Sequence, residues 1–315
     1  MKINRDLRWA LVLSGGGARG LVHVGALCAL HEAGYPPPAL VVGASMGAII
    51  GGLYAAGMSE RELKSYVLDK LDIAAVLESP VFRIEGPIGK LFQTGQILGN
   101  IASKSGIDSG KKILKIFEEL SGEKNFEDCS IKFLCNAVDL CTGREVVFHS
   151  GSVAKAMRAS MSFPFLFEPL VDGDFCYIDG GVADNLPVRF AREYSASLGI
   201  SRVLAVDTRR WRVLPPHSFK NGTQVVMRCF DALIHVSETE ESAGRADLLI
   251  HAVDKSSPFD FSRKKELVAL GEAAVRQSAA ELGAFFGSGV KAAFARRGLS
   301  SCGIHIDAFW GGQCA

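Results

Sequence analysis

Trp9 to Leu13 is an unbroken apolar run that stops at Ser14-Gly15-Gly16-Gly17, and an apolar, small-residue segment then runs from Gly20 to Ala33 before Gly34 and three prolines. A short apolar run closed by glycines and followed by a longer apolar segment predicts strand, tight loop, helix and stop. The pattern repeats at once. Leu40–Val42 predicts a second buried strand, and Ala44–Ala56, rich in Gly and Ala, predicts a helix ending at Gly57, the usual residue just past a last turn. Ser59-Glu60-Arg61-Glu62 has capping-box spacing and opens another helix to about Leu71.

From Ser79 to Gly106 the period is lost, and Phe82, Ile84, Ile88, Leu91, Phe92, Ile97 and Leu98 are scattered among glycines and prolines. Such a segment reads either as a lid or binding loop or as a surface insertion without function. Regular patterning resumes with a helix at 110–120, strands at 131–138 and 145–148 joined through Thr142-Gly143, and a short helix near 153–159. Pro169–Val171 and Phe175–Ile178 flank Asp172-Gly173, a hairpin signal. A helix from Pro187, a strand at 203–206, a helix at 224–239, a strand at 248–251 and a helix at 262–286 follow. Strands alternating with helices predict a mostly parallel sheet covered on both faces, in a chain long enough for one large domain or two small ones. Residues 287–315 show no clear period and read as a tail.

The bulk numbers narrow the function classes only a little. The 315 residues are 48% hydrophobic, ordinary for a globular chain, and 35 basic against 34 acidic side chains give no global field for nucleic acid or an anionic membrane. Lipid contact then has to come from a local patch. The first eight residues lack the apolar core of a signal peptide, and no stretch offers the roughly 20 uncharged apolar residues that span a bilayer. A cytoplasmic protein, soluble or peripheral to a membrane, is expected. The eight cysteines show neither a CxxC pair nor a zinc spacing, so reduced thiols are expected.

Two glycine-bracketed loops carry the candidate chemistry. Gly43-Ala44-Ser45-Met46-Gly47 fits G-x-S-x-G between a buried strand and a helix, where small neighbours permit a sharp turn that exposes the serine hydroxyl. The helix opening at Met46 presents free N–H groups to a developing oxyanion. Gly15-Gly16-Gly17-Ala18-Arg19-Gly20 formally contains G-x-G-x-x-G. A dinucleotide site would also need an acid at the end of the next strand, which here reads Val41-Val42-Gly43-Ala44, and a P-loop would need Lys-Ser or Lys-Thr after Gly20. What remains is a loop of backbone N–H groups around Gly16 and Gly17, suited to an anion such as the tetrahedral oxygen of acyl transfer. Arg19 either braces that loop or joins the oxyanion site.

A nucleophilic serine needs a base. None of His23, His31, His149, His217, His235, His251 and His305 sits in a recognisable motif. Asp179 closes a predicted strand and precedes Gly180-Gly181, which let backbone approach closely. Asp172, Asp174 and Asp184 are its rivals.

Together these residues resemble the patatin-like phospholipase family, particularly its small bacterial members. The resemblance rests on the loop Gly15–Gly20, on Gly43-Ala44-Ser45-Met46-Gly47 and on Asp179-Gly180-Gly181, in that order, with Arg158-Ala159-Ser160-Met161-Ser162-Phe163-Pro164 and Asn185-Leu186-Pro187-Val188 similar to segments flanking the family's active site. It implies a single domain of three-layer α/β/α fold over residues 7–285 and a Ser45–Asp179 dyad without histidine. It further implies an oxyanion hole from the first glycine loop, a lipid or lysolipid substrate, and no metal or cofactor. Two rival functions stand beside it. One is an α/β-hydrolase-type esterase with a Ser-Asp-His triad using His217, His235 or His251; the other is a lipid-binding regulatory module without turnover. Phe163, Phe165 and Phe167 are expected either to line an acyl groove or to be core. The oligomeric state has no signature in the sequence.

Overall fold

The computed structural model describes residues 2–78, 105–208, 213–237 and 246–299. The apolar runs become buried strands. β1 (Trp9–Leu13) and β2 (Leu40–Gly43) are buried at every position, as runs without polar alternation require in a sheet covered on both faces. β4 (Lys132–Asp139), β9 (Arg202–Asp207) and β10 (Leu248–His251) join them, so that β10, β9, β1, β2 and β4 form a parallel array in that order. Beyond it the sheet turns antiparallel through β5 (Arg144–Phe148), β7 (Leu170–Asp172) and β8 (Phe175–Asp179). The sheet is therefore mixed, with its parallel half larger than its antiparallel half.

Successive residues of β1 feed two cores. Trp9, Leu11 and Leu13 face helices α1 (Val22–Glu32) and α2 (Met46–Ala55) and the helices Val153–Ser160 and Lys264–Gln277. Ala10 and Val12 face the helix Val188–Leu198. This is the three-layer α/β/α arrangement.

Register along β4 decides where the site forms. Cys135 is opposite both Gly43 of β2 and Phe148 of β5, and Ala137 is opposite both Asp179 of β8 and Val146 of β5. A strand has two edges, so β5 occupies one, and β2 and β8 share the other. β2 runs parallel to β4 and β8 antiparallel to it. Their carboxyl ends therefore meet head-on along one edge, separated by the single β4 residue Asn136.

Several elements differ from the sequence expectation. The long helix expected at 262–286 is two helices, Lys264–Gln277 and Ala279–Phe286, broken at Ser278, whose backbone leaves helical geometry at φ −84, ψ 18 and whose buried hydroxyl bonds the Ala274 carbonyl. Within the aperiodic 287–315 stretch, Gly287 bridges to Ile3 and Val290–Leu299 is a helix, while residues 300–315 lie outside the described residues. A small parallel pair, β3 (Gly106–Asp108) with β6 (Phe165–Phe167), is too short to leave a pattern. Apart from Ser105 and Gly106, the expected lid or insertion at 79–106 lies outside the described residues.

Candidate active site

The turn from β2 into α2 brings Ser45 to the sheet edge. Its backbone stands at φ 52, ψ −121, a region that costs a non-glycine residue about 1–3 kcal/mol. The turn is tight because its glycines carry no side chain. A Cβ on Gly43 would lie 2.4 Å from the Gly47 carbonyl oxygen, and one on Gly47 would lie 2.2 Å from the Leu13 carbonyl oxygen. The strained conformation is held from outside, since the Ser45 N–H donates to the hydroxyl of Ser160 at 2.9 Å.

The Ser45 hydroxyl donates to Asp179 Oδ2 at 2.6 Å. Asp179 is buried, and its other oxygen, Oδ1, accepts the Gly181 N–H at 2.7 Å, so the turn that follows β8 fixes the carboxylate in place. Beneath that turn, buried Asn136 fills the gap between the two strand ends and donates its amide to the carbonyls of Gly180 (3.1 Å) and Asp184 (2.8 Å). An added Cβ on Gly180 would strike Asn136.

Of the rival aspartates, Asp172 is exposed beside Lys155, and Asp174 is exposed. Asp184 caps the Leu186 N–H and faces Arg189, with burial raising its carboxyl above the ordinary value. Asp179 is the aspartate that the fold brings to Ser45. The triad candidates do not receive the serine hydroxyl: His217 and His235 are exposed, and Nδ1 of His251 faces Asp207 at 3.3 Å. His23 is fully buried with Nε2 2.8 Å from the Ser14 carbonyl, His149 lies beside Tyr194, and His31 pairs with Glu60. His305 lies outside the described residues.

The glycine loop stands alongside. Gly15 is close enough to Ser45 that its added Cβ would sit 3.0 Å from the Ser45 Cβ. The N–H of Gly15 donates to the Asn185 carbonyl at 3.0 Å and that of Ala18 to the Pro258 carbonyl at 2.7 Å. The N–H groups between them, on Gly16 and Gly17, have no partner among the described residues, nor has that of Met46 at the start of α2. Gly17 is left-handed, at φ 58. Gly20 packs directly on the Met46 side chain. The Arg19 guanidinium bonds the Ser256 carbonyl through Nε (2.9 Å) and Nη2 (2.5 Å), tying the loop to the segment after β10.

Sequence reasoning did not single out three residues in this constellation: Ser160, Asn136 and Asn185. Asn185 is buried with its side-chain amide nitrogen unpartnered, and its carboxamide oxygen lies against Gly15 and Gly181. The Arg158–Pro164 and Asn185–Val188 stretches carried the only signal, as flanking segments without a role. The phenylalanines divide. Phe167 is core, Phe163 packs on it from the side, and Phe165 meets Phe230 edge-on at 5.6 Å. Among the described residues no group of three or more His, Cys, Asp or Glu side chains is placed to hold a metal ion.

Comparison with known proteins identifies the family. Residues 11–192 match the family model described as patatin-like phospholipase. A lysophospholipase from Emericella nidulans is 33% identical over 199 residues, 62% of this chain and 12% of its own length. The mouse patatin-like phospholipase domain-containing protein 6 is 34% identical over 289 residues, 83% of this chain and 20% of its own length. The chain thus spans a fifth or less of these two curated relatives. Among solved structures, VipD from Legionella pneumophila aligns with 86% of this chain and 66% of its own at TM-score 0.45 and 18% identity. With its family match covering more than half of the sequence, the chain belongs to the patatin-like phospholipase family.

Proposed function

We propose that the protein is a lipid acyl hydrolase of the phospholipase A or lysophospholipase type, working through a Ser45–Asp179 dyad. The observation that carries this reading is the 2.6 Å hydrogen bond from the Ser45 hydroxyl to a buried Asp179 carboxylate, made between two strand ends on one edge of β4. In the first half-reaction Ser45 Oγ attacks the ester carbonyl while Asp179 Oδ2 takes its proton. The carbonyl oxygen becomes an anion, received by the N–H groups of Gly16, Gly17 and Met46. Each such donor is worth about 10²–10³ in rate. Collapse breaks the ester C–O bond, and Asp179 returns its proton to the departing alkoxide, leaving Ser45 acylated. In the second half-reaction Asp179 takes a proton from water, which attacks the acyl carbon; the acyl C–Oγ bond then breaks, Asp179 returns the proton to Ser45 Oγ, and the fatty acid leaves. Arg19, anchored on the Ser256 carbonyl through Nε and Nη2, braces the glycine loop in this scheme.

A lipid substrate follows from the family, and a lysolipid from the name of the Emericella nidulans relative. Contact with a lipid surface belongs to the same reading. No described helix is long and apolar enough to cross a membrane. The helix Gly222–Ser237, however, turns Val225, Val226, Cys229 and Leu233 outward on one face, at the spacing of a helical stripe. Its Phe230 reaches Phe165, and the helix contacts the Gly180–Val182 turn beside the dyad. An apolar face bordering the catalytic turn is where a lipid aggregate would sit.

The test is release of fatty acid, read by mass spectrometry, from phospholipids, lysophospholipids and short p-nitrophenyl esters. Wild type should release it, and Ser45→Ala and Asp179→Asn should lose at least a thousandfold of the rate. Full activity in either folded variant would refute the dyad. Turnover lost on replacing His251 would favour the triad esterase, and a folded wild type inert on every substrate would favour the lipid-binding module.

A further inference from the structure

The two members of the dyad come from strands that do not pair with each other. β2 and β8 only share an edge of β4, and Ser45 lies two residues past the end of β2 in a strained turn. The β4 ladder sets how far apart the strand ends are, about 7 Å for two residues. It does not orient the Ser45 turn toward the carboxylate. Some element outside the sheet has to do that.

One short stretch touches both sides. At the end of the helix Val153–Ser160, the Ser160 hydroxyl accepts the Ser45 N–H at 2.9 Å. Two residues later the Ser162 carbonyl accepts the Asp179 N–H at 3.1 Å. Both serines are fully buried. The stretch is itself clamped: Met161 and Ser162 bond back to the carbonyls of Met157 and Ala159, and the Ser162 hydroxyl donates to the Arg158 carbonyl at 2.8 Å. The Arg158 guanidinium, almost completely buried, donates to that same hydroxyl and to the carbonyls of Ser109 (2.9 Å), Gly110 (3.3 Å) and Glu168 (2.8 Å). Its hydrogen bonds go to backbone carbonyls and one hydroxyl, which fix its geometry, while the carboxylates of Asp108, Glu168 and Glu78 act on its charge.

We propose that Ser160, Ser162 and Arg158 form a positioning bracket that holds Ser45 in its strained conformation and aims it at Asp179. The inference rests on the dyad reading above. Ser160 and Ser162 touch no reacting atom in it. Ser160 gives the Ser45 N–H an acceptor that neither the strand nor the helix supplies, Ser162 pins the far partner, and Arg158 ties Ser162 to the residues just past β3 and β6.

The test measures Ser160→Ala, Ser160→Thr, Ser162→Ala and Ser45→Ala on a soluble p-nitrophenyl ester, together with the rate at which a fluorophosphonate labels Ser45. Ser160→Ala should lose ten- to a hundredfold in kcat and in labelling rate, with KM within threefold of wild type, and Ser160→Thr, which keeps the hydroxyl, should recover most of the loss. Ser162→Ala should lose two- to tenfold in kcat. If Ser160→Ala fails to fold, Ser162→Ala and Ser160→Thr carry the test. A folded Ser160→Ala with kcat and labelling within twofold of wild type overturns the bracket. So does a loss expressed in KM, or one the threonine does not recover. Hydrolysis surviving in Ser45→Ala would instead overturn the dyad reading itself, whatever Ser160 does.

Discussion

His23 offers a measurement of how dry the floor of the glycine loop is. The imidazole is fully buried, with Nε2 on the Ser14 carbonyl and Nδ1 without a partner. Burial holds it at about 4, below its ordinary 6.5, a pull only partly opposed by the Ser14 bond and the Asp207 carboxylate. A base whose folded value is depressed stays neutral in the native protein while the unfolded chain takes up a proton. Its penalty is therefore absent above pH 6.5, grows as pH falls from 6.5 to 4, and levels off below that. At 1.36 kcal/mol for each unit of difference, acidification costs the fold about 2 kcal/mol by pH 5 and about 3 kcal/mol by pH 4. The assay is urea unfolding of wild type and His23→Gln between pH 7.5 and 5, glutamine retaining a donor for Ser14. Asp184 and Glu145, whose carboxyls burial raises, act in the opposite sense, but they are common to both proteins and cancel in the comparison. Wild type should lose about 2 kcal/mol more than the variant over that range. Parallel stability curves would refute the dry environment inferred for His23.

Three further outcomes follow from named contacts. Gly17→Ala should lower kcat about a hundredfold, because the residue is left-handed at φ 58 and its new methyl would lie 2.2 Å from the Pro258 carbonyl oxygen, displacing an N–H proposed for the oxyanion hole; steady-state kinetics with unchanged activity would remove Gly17 from the proposed hole. Leu233→Asp, on the outward stripe of the Gly222–Ser237 helix, should weaken vesicle binding and hydrolysis of vesicle lipid at least tenfold while leaving short soluble esters alone, measured by co-sedimentation on the Ser45→Ala background and by turnover on wild type. Iodoacetamide at pH 8 should alkylate exposed Cys141 and Cys229 and spare Cys135, whose thiol burial pushes far above its ordinary value, as peptide mass mapping would show.

Much of this site is legible along the chain because its parts are local. An apolar run ending in glycine marks a strand that stops, and Gly43 and Gly47 around Ser45 mark a turn in which backbones nearly touch. Asp179 is legible through Gly180 and Gly181 for the same reason. The parts that escape sequence reasoning depend on partners far away in the chain. Ser160 acquires its role from a bond to a residue 115 positions earlier, and a buried serine at a helix end is otherwise unremarked. The guanidinium of Arg19 bonds Ser256, 237 positions later, and nothing local distinguishes that from an arginine facing the anion. The break at Ser278 is hidden because helical spacing of buried positions continues across it, from Ala274 and Val275 through Ser278 to Leu282 and Phe285, and β3 and β6 are three residues each, below the length at which alternation can be seen.

The β7–β8 hairpin is legible at Asp172-Gly173, but the edge on which it docks is not, and that docking makes the site. Alternating strands and helices predict parallel neighbours, and a purely parallel sheet would send every strand's carboxyl end to the same rim without bringing any two of them face to face. The hairpin of β7 and β8 reverses direction, so β8 runs against β4 and delivers Asp179 toward the oncoming end of β2. Asn136 stands at the seam, with its carboxamide holding the Gly180 and Asp184 carbonyls of the turn that carries the carboxylate. The parallel half of the sheet supplies Ser45 and the free N–H groups; the antiparallel half supplies the carboxylate. In this geometry a carboxylate can reach the serine without an imidazole between them, because the two strand ends already stop with a single β4 residue between them.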